Sequence, residues 1–356
     1  MLQQEIDQAV QAALDQLVSA GGYRSYRGDS CDRLAAQLGQ RLQTAEVLLT
    51  SSGTTAVELA LRAAGVGPGD EVLLSAYDYP GNFWAIERVG ARPVLLDVEE
   101  HSWRIERQHL DAAVQQAPAG RCKALVVSHL HGQLQEIVAL RQWCDAREML
   151  LIEDACQAMG ADIAGKPAGA HGHVGVLSFG GGKLLSAGRG GALLVSDPLL
   201  AQRARIAAGS GSGPQTMSEL QAAVILAQWP YWDELVRLGR QYFAELCKLL
   251  QTSRAAYRLP FIDQLPQTAF YQAGLLWVRP VEQGETQLAQ LRLAGLPAGG
   301  GFAGFHRRSA RRCRHATPLR NVVAVAQGTW TIHFRVALEG RLSPAQAADL
   351  LHRLDP

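Results

Sequence analysis

The sequence contains no apolar run approaching the roughly 18 residues that a membrane-spanning helix needs, which excludes an integral helical membrane protein. It carries almost no excess charge: 34 lysines and arginines against 33 aspartates and glutamates leave +1. Such balance argues against a general binder of nucleic acid or membrane surfaces. It has no CxxC pair. Its six cysteines (Cys31, Cys122, Cys144, Cys156, Cys247, Cys313) are scattered without ligand-like histidine spacing, and read as reduced thiols of a cytosolic protein rather than a disulfide frame. Residues 1–18 lack the basic start and apolar middle of a secretory signal and read as a Gln-rich helix bearing Glu5, Asp7 and Asp15. There is no internal repeat and no low-complexity tract. With 47% apolar and 19% charged residues the chain is ordinarily globular. At 356 residues it exceeds what one core usually serves. Two domains are therefore expected: a large one over 1–235, whose amino-terminal helix joins the other, and a small α+β one over 236–356.

What the chain does have is alternation. Short apolar runs at 46–50, 71–76, 93–97, 124–129, 149–153, 174–179 and 192–196 are separated by helix-periodic stretches at 55–64, 83–89, 110–114 and 137–146. Continuous apolar strands joined by helix-length crossovers predict an α/β fold with a mainly parallel, seven-stranded, doubly wound sheet. Amphipathic helices are expected at 218–228 and 235–251. Near the end, Trp330, Ile332, Phe334 and Val336 alternate as the core face of a small-domain strand. His333 and Arg335 would take its other face, with Arg335 a candidate for holding a carboxylate.

Three motifs could carry chemistry. Ser51-Ser52-Gly53-Thr54-Thr55 sits between a strand and a helix, where unpaired amides, the helix dipole and small side chains suit a phosphate; an ordinary Ser/Thr helix cap is the plain alternative. Asp154, in Glu153-Asp154-Ala155-Cys156-Gln157, closes a strand at the edge where open α/β sheets bind ligands. It must either meet a cation there or cap the next turn. Lys183 lies in the glycine-crowded run from Ser178 to Gly191, followed by Leu184 and not by the Ser or Thr of a P-loop. It is either a solvated loop lysine or a buried amine made nucleophilic by desolvation. In combination the three supply what pyridoxal phosphate needs. The phosphate would dock on Gly53 and Thr54, Asp154 would keep the ring nitrogen protonated, and Lys183 would form a Schiff base with the aldehyde.

The runs Ser52-Gly53-Thr54, Gly67-Pro68-Gly69-Asp70-Glu71-Val72, Gly90-Ala91-Arg92-Pro93-Val94, His129-Leu130-His131-Gly132, Glu153-Asp154-Ala155-Cys156-Gln157 and Met217-Ser218-Glu219-Leu220-Gln221-Ala222-Ala223 resemble, in that order, the DegT/DnrJ/StrS family. These are the fold type I, pyridoxal phosphate-dependent aminotransferases of sugars and cyclitols. The resemblance implies Lys183 as the cofactor-bonding catalytic lysine and Asp154 as the partner of the pyridine nitrogen. It implies Gln157 against the ring or its phenolic oxygen, Ser178 with Gly53 and Thr54 on the phosphate, and Tyr79 stacked over the ring. It further implies an amino donor (glutamate or glutamine), a keto group on a nucleotide-linked sugar or a cyclitol as acceptor, no metal, and a homodimer with active sites at the subunit boundary.

Two departures from the family stand out. Gly188-Arg189-Gly190-Gly191 replaces the usual Gly-Glu-Gly-Gly, and Pro214, Gln215 and Thr216 occupy the places of an Asn-x-Arg that reaches a neighbouring subunit's cofactor phosphate. A dehydratase or aromatising enzyme on the same fold, and a scaffold or regulator without turnover, are the competing expectations. Dehydratases of this kind carry histidine where Lys183 stands. The basic run from His306 to His315 could clamp a diphosphate or form a solvated face. His129 and His131 read as core or pocket-lining residues, since no partner stands at metal-ligand spacing.

Overall fold

The computed structural model describes residues 2–26, 28–209, 213–251, 257–277 and 284–353. Its main sheet is built from β1 (Glu46–Thr50), β2 (Glu71–Ser75), β3 (Arg92–Leu96), β4 (Cys122–Ser128) and β5 (Leu150–Asp154). After a short ribbon, β6 (Asp162–Ile163) with β7 (Lys166–Pro167), come β8 (Val174–Ser178) and β9 (Gly191–Val195). The spatial order is β1-β9-β8-β5-β4-β2-β3, and β9 alone runs against the others. These are the seven expected strands. An eighth, the two-residue β13 (Arg314–His315), adds in parallel to the outer edge of β3; it was hidden from pattern reading because it lies inside the basic run. The chain is thus α/β of fold type I, with a mostly parallel sheet.

The apolar runs form strands because both faces of the sheet are covered. Alternate residues divide between two packed layers: Leu73, Val94, Leu125 and Leu151 face one way, and Val72, Leu95, Val126 and Ile152 the other. The covering helices are α1 (Leu2–Ser19), α2 (Asp29–Leu42), α3 (Gly53–Ala63), α4 (Pro80–Arg88), α5 (Arg107–Gln115), α6 (Ile137–Asp145), α7 (Pro198–Ala208) and α8 (Glu219–Gln228), before the long α9 (Trp232–Gln251). α8 starts with a full capping box between Ser218 and Gln221, which explains its sharp boundary.

A second, antiparallel sheet holds β10 (Tyr257–Arg258), β11 (Gln272–Trp277), β14 (Thr329–His333) and β12 (Ala298–Gly300), in that order. α1 packs against α8 and also against the short helix Arg335–Glu339. The expected alternating strand through Val336 is shorter than its pattern. It ends at His333, Phe334 caps the following helix, and Val336 lies within that helix. All four apolar residues are nonetheless buried. A one-turn helix can bury neighbouring apolar positions as a strand does, so period alone does not separate the two over so short a span. Among the described residues no helix is long and apolar enough to cross a membrane.

Candidate active site

The carboxyl ends of the parallel strands and the amino end of α3 converge on one cavity of about 770 Å³, a size typical of small-molecule sites. Gly53, Thr54, Tyr79, Asp154, Gln157, Ser178 and Lys183 all line it.

The turn from β1 to α3 forms one wall. Ser52 is the N-cap, its Oγ accepting the Thr55 amide at 3.1 Å while its carbonyl accepts the Ala56 amide at 3.0 Å. The cap and the anion cradle are therefore compatible, because capping serves the third and fourth helical amides and leaves those of Gly53 and Thr54 free of the helix ladder. Position 53 has no room for more than hydrogen, since a Cβ there would meet Cys156 Sγ at 2.9 Å and Ser178 Cβ at 3.1 Å. The segment in the place of the Asn-x-Arg packs alongside: Gln215 accepts the Ser51 amide at 2.7 Å, Thr216 bridges to Thr50, and Pro214 faces the cavity together with Arg189.

Asp154 terminates β5 with a side chain 5% exposed. Its Oδ2 accepts Asn82 Nδ2 at 2.8 Å and lies 3.4 Å from Ser128 Oγ, and its Oδ1 accepts the Cys156 amide at 2.9 Å. Behind it, Asp78 Oδ1 accepts Ser128 Oγ at 2.7 Å, the Tyr79 amide at 2.6 Å and Asn82 Nδ2 at 3.2 Å. Burial, then the nearby Asp154 charge, push the Asp78 carboxyl up to about 8. Gln157 is fixed by accepting the His131 amide at 3.1 Å.

Lys183 does not reach into open solvent. Its Nζ sits 3.8 Å from the centre of the Tyr271 ring. Burial lowers its proton affinity, while the thiol of Cys156 and the carboxylate of Asp154 act in the opposite sense. Ser178 Oγ accepts the Gly180 amide at 3.2 Å. Tyr79, at the start of α4, is 45% exposed at the cavity mouth beside Trp84, 46% exposed.

Pattern reading did not single out Asp78, Asn82, Ser128, Cys156 or Tyr271 for this site. Asp78 and Asn82 stand four apart around Pro80, a spacing that a helix start brings onto one face, and this was the available signal. Of the remaining candidates His129 lines the cavity, as a pocket-lining histidine would, whereas His131, Arg335 and the basic run do not. His129 Nε2 is 3.1 Å from Glu153 Oε1, with its Nδ1 accepting the Gln135 amide. His131 packs edge-on to Tyr77 and Trp103 with Nε2 3.0 Å from Tyr77 Oη. Arg335 does not line the main cavity; it lines a smaller one of about 220 Å³ on the α1 side of Lys183. The basic run lies at the far sheet edge, where Arg312 pairs with Glu87 at 2.7 Å and Arg314 with Glu71 at 2.7 Å.

Comparison with known proteins gives a coherent picture. The model of the DegT/DnrJ/EryC1/StrS aminotransferase family matches residues 4–340. The chain is 30% identical to the Pleiotropic regulatory protein of Geobacillus stearothermophilus, over 70% of this chain and 68% of that one. It is 33% identical to dTDP-3-amino-3,4,6-trideoxy-alpha-D-glucose transaminase of Streptomyces venezuelae, over 69% and 67%. The crystal structure of the aminotransferase TlmJ from Streptoalloteichus hindustanus superposes with a TM-score of 0.84 at 26% identity, covering 98% of this chain and 95% of that one.

Proposed function

This chain belongs to the DegT/DnrJ/EryC1/StrS aminotransferase family, and from that premise we propose that it moves an amino group from glutamate or glutamine to a keto group on a nucleotide-linked sugar or a cyclitol. It is a pyridoxal phosphate-dependent aminotransferase. The observation that carries the reading is the meeting of a half-buried lysine, a strand-end aspartate and a helix amino terminus around one cavity.

The residues fit the cofactor. Position 53 has no room for a side chain, and the Gly53 and Thr54 amides stand at the start of α3 outside its hydrogen-bond ladder, as suits an approaching phosphate. Gly53, Thr54 and Ser178 would hold the phosphate, Asp154 the protonated ring nitrogen and Gln157 the ring edge, with Tyr79 covering its face. Bound pyridoxal phosphate supplies an electron-withdrawing ring that delocalises the charge left when a proton leaves the substrate carbon. The protein's share is orientation and proton handling. Asn82 and the Cys156 amide hold Asp154 still. Lys183, whose burial favours the neutral amine, is the base that takes a proton from the donor's α-carbon and the acid that returns one.

We further place the division between the two domains near residues 235 and 236, the site at a homodimer boundary where Tyr79 and Trp84 are exposed, and the protein in the cytoplasm, consistent with six cysteines in the reduced state. Lys183→Arg should abolish both turnover and the visible-edge absorbance of the lysine-bound cofactor. Retention of that absorbance would overturn the assignment of Lys183. A screen of keto-sugar nucleotides and inososes against protein preloaded with glutamate identifies the acceptor, and light scattering reads the oligomer.

A further inference from the structure

We propose that Asp78 is a positioning acid for Asp154: in its neutral, protonated form it anchors Asn82 and Ser128 and thereby fixes the carboxylate that receives the cofactor's ring nitrogen. The inference rests on the cofactor reading above.

The geometry is a buried pair of acids that share donors. Asn82 Nδ2 lies 3.2 Å from Asp78 Oδ1 and 2.8 Å from Asp154 Oδ2. An amide nitrogen has two hydrogens and can serve both. Ser128 Oγ lies 2.7 Å from Asp78 and 3.4 Å from Asp154. A hydroxyl has one hydrogen, and the shorter distance assigns it to Asp78. With the Tyr79 amide at 2.6 Å, three donors converge on Asp78 Oδ1.

Asp78 Oδ2 has none. It is buried without a hydrogen-bond partner among the described residues, and the side chain is 1% exposed. A bare carboxylate oxygen in that position is costly, and a hydroxyl much less so. The titratable groups facing Asp78 are Asp154 on β5, the Cys156 thiol just beyond it and the Tyr77 phenol on its own segment, and among the described residues no cation pairs with it. Lys183 interacts instead with Asp154 and Cys156. Adjacent carboxyls in a dry site do not both ionise, and the raised proton affinity of Asp78 agrees with its being the one that stays protonated. Asp154 lines the cavity and Asp78 does not. The inner acid thus keeps its proton, and the outer one presents an oriented charge.

The test uses the full-length chain as wild type, Asp78→Asn and Asp78→Ala, with Asn82→Ala as a second way to cut the bridge should Asp78→Ala fail to fold. In the cofactor-free wild type, infrared spectroscopy should show a protonated-carboxyl band at neutral pH that fades around pH 8 and is missing in Asp78→Asn. Titration with pyridoxal phosphate should give Asp78→Asn an affinity within about threefold of wild type, because the amide keeps the acceptor oxygen. Asp78→Ala, or Asn82→Ala, should bind about tenfold more weakly or worse, the usual scale for losing a buried hydrogen-bond anchor. The proposal is overturned if the band is absent from wild type or persists in Asp78→Asn. It is also overturned if Asp78→Asn binds as poorly as Asp78→Ala, or if the anchor-cutting variant binds like wild type. A wild type that takes up no cofactor sinks the underlying reading instead, and the infrared band still decides the protonation of Asp78.

Discussion

Glu153 and Asp154 are consecutive on β5, so their side chains leave the sheet in opposite directions, and the two sides treat a buried carboxylate differently. On the Glu153 side every lone pair is answered. His129 Nε2 lies at 3.1 Å, and the amides of Gly169, His171 and Gly172 donate at 2.7, 2.8 and 2.8 Å. Burial would raise this carboxyl, but the His129 bond and charge together with the glycine amides outweigh it and hold the group below the usual range. On the Asp154 side the donors are few and divided with a second acid, Asp78, whose Oδ2 has no hydrogen-bond partner among the described residues. One side is a closed electrostatic account, and the other is left open toward a cavity. A buried charge that is fully satisfied is structure; one that is satisfied only in part waits for a ligand.

Four measurements test that contrast. The largest effect is expected for Asp154→Asn, which should lower transamination by about 100-fold while leaving the melting temperature near that of wild type, as expected for removal of a charge that stabilises the reacting system. A variant of near-normal activity would erase the distinction between the two sides. Glu153→Gln should behave in the reverse way. It leaves His129 and three amides facing a neutral side chain, so denaturant unfolding should show a loss of roughly 3 kcal/mol, with activity per folded molecule within about threefold of wild type, since His129 is the one cavity-lining residue among the Glu153 partners named above. Equal stability would mean that this network is ornamental.

The third concerns pH. Asp78 holds its proton to about 8, against 3.8 for an unperturbed aspartate. Between those values the folded chain binds more protons than the unfolded one, so this residue makes stability fall as pH rises, by at most about 1.4 kcal/mol per pH unit. Glu153, with its depressed value, has the opposite sign: its contribution is present above the unfolded pKa and is lost as pH falls through the folded one. Asp78→Asn should flatten the decline toward pH 8, and an unchanged slope would show that another group is responsible. The smallest effect serves as a neutral control within the same cavity. Ser52→Ala removes the cap on α3 and should cost about 1 kcal/mol with no change in the pH slope.

Much of this was legible in the chain itself, and the reason is local. Strands buried on both faces announce themselves as unbroken apolar runs, so all seven long strands fell within two residues of their patterns at either end. That the glycine-threonine turn, Asp154 and Lys183 would come together at one cavity was legible because the first two stand at a helix start and a strand end, and Lys183 in a glycine-crowded loop between two strands. The Asp78–Asn82–Ser128 cluster was not. Its meaning depends on β2, β4 and β5 lying side by side, and that adjacency is a property of the sheet order, not of any local stretch. Likewise, the arginine run gave no sign that Arg312 and Arg314 would be spent on Glu87 and Glu71 from distant elements.

The lone reversed strand, β9, starts at Gly191, where a Cβ would meet the Ser52 carbonyl carbon at 2.5 Å and the Gly53 nitrogen at 2.6 Å, while Ser52 bridges to Gly190. The stretch that carries Lys183 is thereby clasped at its far end to the turn that would grip the phosphate. The spacing between that turn and the stretch bearing Lys183 is set by backbone touching backbone, like the jaws of a caliper locked at one gauge. A methyl group at position 191 would open that gauge without altering any residue that lines the cavity.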